Sequence, residues 1–173
     1  GKFSDVAVPY KERDGELKRL PWRDFSPIGP GGSMNSNVND LLSWVKVNLQ
    51  EGIFDGQSLI KGATLQEIHS PQVIFTGSPP HNATILYSYG IGWGVASMRG
   101  HYLVVHDGGV DGFSSTIALL PQEKVGVVVL ANKNITSLPN LLPLGILDKV
   151  LAPPFTDHLE KGKSGLEKAK KER

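Results

Sequence analysis

Four consecutive residues, His106-Asp107-Gly108-Gly109, combine a proton-transfer side chain, a carboxylate and two glycines. They follow the apolar pair Val104-Val105, so the segment reads as a strand ending in a histidine, with a glycine-dense turn continuing through Val110-Asp111-Gly112-Phe113-Ser114-Ser115. Glycine lets a second backbone or a ligand approach closely, and an exposed strand edge can offer amide donors to a carbonyl oxygen. The alternative is a tight hairpin that needs glycine for its φ angles, with His106 satisfying a local hydrogen bond. On these residues alone that alternative is the more economical.

A nucleophile is the next requirement, and Ser-x-x-Lys occurs twice, as Ser43-Trp44-Val45-Lys46 and Ser58-Leu59-Ile60-Lys61. On a helix, three-residue spacing sets serine and lysine on one face, where the amine can take the hydroxyl proton. Ser43 and Lys46 fit a helix; Ser58 reads as a turn residue. No Tyr-x-Asn occurs: the residues two places after Tyr10, Tyr87, Tyr89 and Tyr102 are Glu12, Tyr89, Ile91 and Val104. His69, His81, His101 and His158 lack metal-ligand spacing, and there is no cysteine to serve as thiolate or zinc ligand. No metal or cofactor is expected. Trp22, Trp44 and Trp93 are expected to be packing anchors rather than ligand platforms.

The composition is that of an ordinary globular domain. The chain has 173 residues, 39% hydrophobic and 20% charged, enough for one core. Its 18 basic and 17 acidic residues leave a net charge of +1, so no overall field draws nucleic acid or an anionic membrane, and neither is expected as a partner. No segment approaches the ~18 consecutive apolar residues of a spanning helix. Two glycosylation triplets, Asn82-Ala83-Thr84 and Asn134-Ile135-Thr136, carry meaning only in a secreted protein.

The elements that must position these residues follow from periodicity and turn formers. Residues 1–37, with Pro9, Pro21, Pro27, Pro30 and Gly29-Pro30-Gly31-Gly32, show no sustained period and read as irregular. Leu41, Leu42, Val45 and Leu49 recur at helical spacing, which predicts a helix over 38–51, capped by Asn37 or Asn39 and stopped by Gly52. A second helix is predicted over 62–69, and strands over about 85–131: Ile85–Met98 and His101–His106 around Arg99-Gly100, then Ser114–Leu120 and Val125–Ala131 around Pro121-Gln122-Glu123-Lys124. Val125–Leu130 is apolar on both faces, which suits an interior strand covered by other layers. A helix over 138–151 is expected to pack on the sheet. The fold class is therefore α+β, an antiparallel meander packed by helices, with one domain over 1–156. The tail, 157–173, carries six basic and four acidic residues and reads as a solvated or frayed helix.

The order of segments resembles the β-lactamase-related serine hydrolase family, which includes penicillin-binding proteins and class C β-lactamases. Gly29-Pro30-Gly31-Gly32-Ser33-Met34-Asn35-Ser36 with Asp40-Leu41-Leu42 is similar to its "PAGGL-S-x-x-DL" entry to a helix. Ser58-Leu59-Ile60 through Leu65, His69 and Pro71 is similar to "LLS-x-x-T-L-x-x-M-x-x-P". Tyr89-Gly90-Ile91-Gly92-Trp93 matches "YGLGW", His106-Asp107-Gly108-Gly109 with Gly112-Phe113-Ser115 matches "HxGG…GFxS", and Val125–Asn132 matches "VGVVVLxN". Each piece is weak alone; their joint order and spacing are specific.

The resemblance implies a partial β-lactamase/transpeptidase-like fold and the third of that family's motifs, Lys/His-x-Gly, at His106 and Gly108. It further implies that the Gly109 backbone N–H is one oxyanion donor, the other being the nucleophile's own N–H, and that His106, Asp107 and Gly108 line the substrate. The family places Ser-x-x-Lys well upstream of the "PAGGL" segment, where neither copy here stands. Histidine is largely neutral where lysine is charged, and Asp107 adds negative charge, so an ester, amide or peptide-like substrate suits the site better than an anionic one. The expected whole is a serine hydrolase of which this chain supplies the C-terminal half; the competing expectation is a non-catalytic binding or scaffolding module on the same fold. Half of a two-lobed enzyme is expected to leave an apolar sheet face uncovered, inviting self-association or a partner that supplies the missing half. This chain is expected to turn over no nitrophenyl acetate. Hydrolysis lost on Ser43→Ala or Ser58→Ala would contradict that expectation.

Overall fold

The computed structural model describes residues 5–75, 84–134, 136–151, 160, 162–165 and 167. The chain opens with a hairpin, β1 (Tyr10–Arg13) and β2 (Glu16–Arg19), then a 3₁₀ turn (Ser26–Ile28) and a short helix α1 (Gly29–Gly32). Next come α2 (Val38–Leu49), the small hairpin β3 (Ile53–Phe54) and β4 (Gln57–Ser58), and α3 (Gly62–Ile68). Six strands follow, β5 (Val73–Ile74), β6 (Thr84–Tyr89), β7 (Gly94–Met98), β8 (His101–Val110), β9 (Phe113–Leu120) and β10 (Val125–Ala131), and then α4 (Leu138–Val150). The six form one antiparallel sheet in the order β10-β9-β8-β7-β6-β5.

Four readings of the sequence change here. The stretch 1–37 is not irregular throughout: Asp14 (φ 56°) and Gly15 (φ 80°) make the two-residue turn that joins β1 to β2. The single strand expected over Ile85–Met98 is two strands, broken at Gly90–Trp93, where Gly92 has φ 75°. The strand expected to end at His106 continues to Val110, so Gly108 and Gly109 are strand residues and the turn is Asp111-Gly112. Val125–Ala131 is covered on both faces but stands at the edge of the sheet.

Alternation along the strands divides the core in two. Ala96, Met98, Leu103, Ala118, Leu120 and Val127 face α4, which contributes the fully buried Leu147. Trp93, Val104 and Leu119 face α2, which contributes Val45 and Leu49. Both faces of the sheet thus carry a helix, contrary to the expectation of an uncovered face. Among the described residues, exposed apolar side chains cluster at and just past the β5 edge, where Val73, Ile74 and Phe75 are exposed, and Leu130 is exposed on β10 at the other edge. At Gly126 a Cβ would stand 2.4 Å from Val45 Cγ1, so the missing side chain is what lets α2 settle on β10.

Capping fixes where α2 begins. Asn37 Oδ1 accepts from the Asp40 N–H at 3.0 Å, and Asn37 Nδ2 donates to the Asp40 carboxylate at 2.7 Å. α4 is tied to the β7–β8 turn by Arg99, whose guanidinium donates to both oxygens of the fully buried Asp148 at 2.6 and 3.3 Å. The N-terminal segment crosses the tip of the β8–β9 hairpin: Tyr10 N–H meets the Gly112 carbonyl, Arg23 pairs with Asp111 at 2.8 Å, and Trp22 leans on Phe113.

α3 is anchored by His69, which is buried at its C-terminal end. Its Nε2 lies 3.0 Å from Asn48 Oδ1 of α2, its ring packs edge-on against Trp93, and its carbonyl accepts from the Tyr102 hydroxyl. Burial holds the imidazole below the usual histidine range.

Two outcomes follow. Leu119→Ala removes a completely buried side chain at the α2 face and is expected to cost about 2–5 kcal/mol in urea unfolding; a loss below about 1 kcal/mol would mean that this face is not a packed core. Above a pH of roughly 6.5 the His69 ring is neutral folded and unfolded alike, and it contributes no pH dependence. Below that value the unfolded chain takes up a proton that the folded chain resists, so stability drains away as pH falls towards the depressed folded value. Melting temperatures from pH 7 down to 5 are expected to fall less steeply for His69→Gln than for the unsubstituted chain; equal slopes would remove His69 from the acid response.

Candidate active-site wall

β8 outruns its neighbour. Its pairing with β7 stops at Gly94↔Val105, whereas its pairing with β9 continues through His106↔Ile117, Asp107↔Thr116, Gly108↔Ser115, Gly109↔Ser114 and Val110↔Phe113. In an antiparallel ladder successive residues turn their N–H and C=O groups to opposite neighbours. The two-residue turn Arg99-Gly100 makes His101, Leu103 and Val105 the residues that bond to β7. Carried onward, the alternation turns Asp107 and Gly109 away from β9, towards an edge that no described strand occupies. His106, Gly108 and Val110 turn their backbone groups to β9.

His106 to Gly109 are exposed and Val110 is half-buried. Nothing lies within 4 Å of the position a Gly109 Cβ would take, and a Gly108 Cβ would stand 2.7 Å from Ser115 Oγ. The glycines therefore keep the edge open and the neighbouring strand close; neither has the positive φ that the hairpin alternative required. A shallow recess of about 280 Å³, lined by Gly109, Val110, Asp111, Phe113, Ser114 and Asn134, adjoins the overhang. A larger hollow of about 550 Å³ lies on the first hairpin, lined by Lys11, Arg13, Lys18, Arg19 and Leu20, and holds none of the β8 residues.

Because β7 ends early, a side chain from β6 can reach one from β8. Tyr89, the last residue of β6, places its hydroxyl 2.9 Å from His106 Nε2. Trp93 stands edge-on to the same imidazole, with ring centres 6.5 Å apart. Phe75 stacks on Tyr87 at 5.1 Å and tilts against Tyr89. Burial pushes the Tyr87 phenol above its usual range, and the Asp107 charge and Tyr89 act in the same direction, so Tyr87 stays protonated here.

The loop carrying Trp93 is held from beneath. Ile91 N–H donates to the Ile68 carbonyl at 2.9 Å and Gly90 N–H to the Trp93 carbonyl at 2.7 Å. At Gly90 a Cβ would fall 2.4 Å from the Ile68 carbonyl oxygen, so only glycine lets α3 dock there. A continuous support runs from Asn48 through His69 and Trp93 to His106.

His106, Asp107, Gly108 and Gly109 thus lie together on one strand end. Tyr89 joins them although the sequence assigned it no separate role; its place in Tyr-Gly-Ile-Gly-Trp was the available signal, and the contact itself depends on the length of β7. The two Ser-x-x-Lys copies differ. Ser43 and Lys46 are on α2, where Ser43 Oγ is 3.5 Å from the Asn39 carbonyl and the Lys46 side chain is exposed. Ser58 ends β4 and Lys61 caps α3, so that pair shares no helix. Of the three tryptophans, Trp93 is a buried anchor, while Trp22 and Trp44 are exposed. His81 and His158 lie outside the described residues. Among the described residues no group of three or more His, Asp or Glu side chains could hold a metal ion, and no helix is long and apolar enough to cross a membrane.

The chain is similar to several known proteins. The chain is 31% identical over 135 residues to the unguisins hydrolase ungD of Aspergillus violaceofuscus, covering 72% of this chain and 23% of that protein. It is 34% identical over 113 residues to Protein flp of Staphylococcus aureus, covering 65% of this chain and 20% of that one. It therefore spans about a fifth to a quarter of these relatives' length. Among solved structures, the octameric penicillin-binding protein homologue from Pyrococcus abyssi superposes with a TM-score of 0.68 at 24% identity, over 87% of this chain and 32% of that one. A penicillin-binding protein from Bacillus halodurans gives 0.57 at 16% identity, over 88% and 42%. The Beta-lactamase family model matches residues 2–147, most of the chain, and this chain belongs to that family.

Proposed function

We propose that this chain forms one wall of the acyl-transfer site of a serine hydrolase acting on an ester, amide or peptide-like substrate. The observation that carries the reading is the unpaired edge of β8 from His106 to Val110, with His106 beside it. An extended substrate can add to such an edge as a further strand, its backbone bonding to the Asp107 and Gly109 groups. The Gly109 N–H is then a donor to the carbonyl oxygen as it becomes an oxyanion, and a second donor is the N–H of the attacking serine. Loss of one such donor typically costs ~10²–10³ in rate. In this reading the nucleophile and its lysine base come from polypeptide outside this sequence; that Ser58 and Lys61 share no helix supports it. The serine oxygen adds to the substrate carbonyl, the alcohol or amine leaves with the serine's proton, and water then hydrolyses the acyl ester to the acid and free serine. The name of the fungal relative, a hydrolase, agrees with this reaction class.

The test uses this chain alone. A short peptide blocked at both ends, titrated into the ¹⁵N-labelled protein, is expected to move the Asp107 and Gly109 amide signals. Gly109→Pro removes the N–H without touching the ladder to β9, so the fold is expected to survive while binding weakens about tenfold, roughly 1.4 kcal/mol. A peptide that binds the proline variant equally well, or perturbs only other strands, would overturn the proposal.

A further inference from the structure

The hydroxyl of Tyr89 and Nε2 of His106 are 2.9 Å apart, and each is held by its own surroundings. Tyr89 is paired on one side with Val73 and on the other with Gly94, and the Gln72 N–H donates to its carbonyl at 2.8 Å. His106 is fixed by its pairing with Ile117 and by the edge of Trp93. Two paired strands therefore present the two groups to each other past the end of β7.

A phenol is a better hydrogen-bond donor than acceptor, and an unprotonated imidazole nitrogen is a strong neutral acceptor. With both side chains uncharged, the favoured arrangement has the Tyr89 O–H donating to Nε2, which leaves the ring proton on Nδ1. We infer that Tyr89 is a positioning residue that fixes His106 in the Nδ1–H tautomer, so that the ring offers a substrate oxygen one directed N–H donor. Resting on the acyl-transfer reading above, this narrows the substrate group met by His106 to an acceptor oxygen, of an ester, amide or hydroxyl. A cationic group finds no acceptor on the ring, because Tyr89 occupies Nε2. The arrangement differs from a lysine at the same place, which would offer a mobile charge rather than a single oriented bond.

Long-range ¹H–¹⁵N correlation spectra distinguish the two tautomers directly, because the protonated and bare nitrogens resonate in separate ranges. At a pH of about 8, above the ordinary histidine value, the unsubstituted chain is expected to show His106 with a bare Nε2 and a protonated Nδ1. Tyr89→Phe is expected to return His106 to the Nε2–H form that free histidine prefers, with the His69 signals unchanged. An Nε2–H form in the unsubstituted chain overturns the inference by itself, whether or not the variant folds. So does a Tyr89→Phe protein that keeps the Nδ1–H form. Neither result depends on substrate: failure of peptide to bind the β8 edge would remove the acyl-transfer reading and leave the tautomer standing, and the reverse holds equally.

Discussion

A strand that extends past its neighbour keeps half of its backbone polar groups without a ladder, and β8 does so from His106 to Val110. Such groups must be met by water or by another chain. In a closed sheet the overhang would be a liability for aggregation. Here it is short, flanked by the exposed Asp107 carboxylate, and ends in a turn held by Arg23 and Tyr10. The early stop of β7 at Gly94 creates the edge and opens the gap through which Tyr89 reaches His106. Both features of the wall thus come from one difference in strand length.

Much of the remaining structure keeps that difference in place. The Gly90–Trp93 segment must leave the sheet at the right point, and α3 holds it there through the Ile68 carbonyl and the close approach at Gly90. His69 and Asn48 then tie α3 to α2, and α2 is seated on β10 through Gly126 and on the core through Val45 and Leu49. A buried neutral histidine serves this purpose well, because its ring both bonds to the amide and packs on Trp93. On the opposite face, Arg99 and Asp148 fix α4 to the turn where β8 begins. The two ends of β8 are therefore anchored by separate contacts.

What the sequence made legible follows the range of the signal. The α2 helix was readable because its apolar period and its Asn37 cap are both local, and the β7–β8 turn because Arg99-Gly100 is a hairpin dipeptide. The first hairpin carried an equally good signal in Asp14-Gly15, hidden because its strands are charged and almost wholly exposed, with no alternation to mark them. His106-Asp107-Gly108-Gly109 was mistaken for the end of a strand because glycine signals a turn by its freedom alone. Whether that freedom is used depends on the pairing partner, and β9 continues beside it to Ser114 and Phe113. Val125–Leu130 misled in a similar way: apolar faces report the two helices that cover them, not the strand's place in hydrogen-bonding order. The Tyr89–His106 contact, between residues on strands that are not neighbours, had no local signal at all.

Amide hydrogen exchange along β8 tests the central claim most directly. An open edge beyond Val105 predicts an alternation, with the N–H groups of His106, Gly108 and Val110 protected by β9 and those of Asp107 and Gly109 exchanging rapidly. Uniform protection from His106 to Val110 would mean that the edge is already occupied, and it would contradict the account.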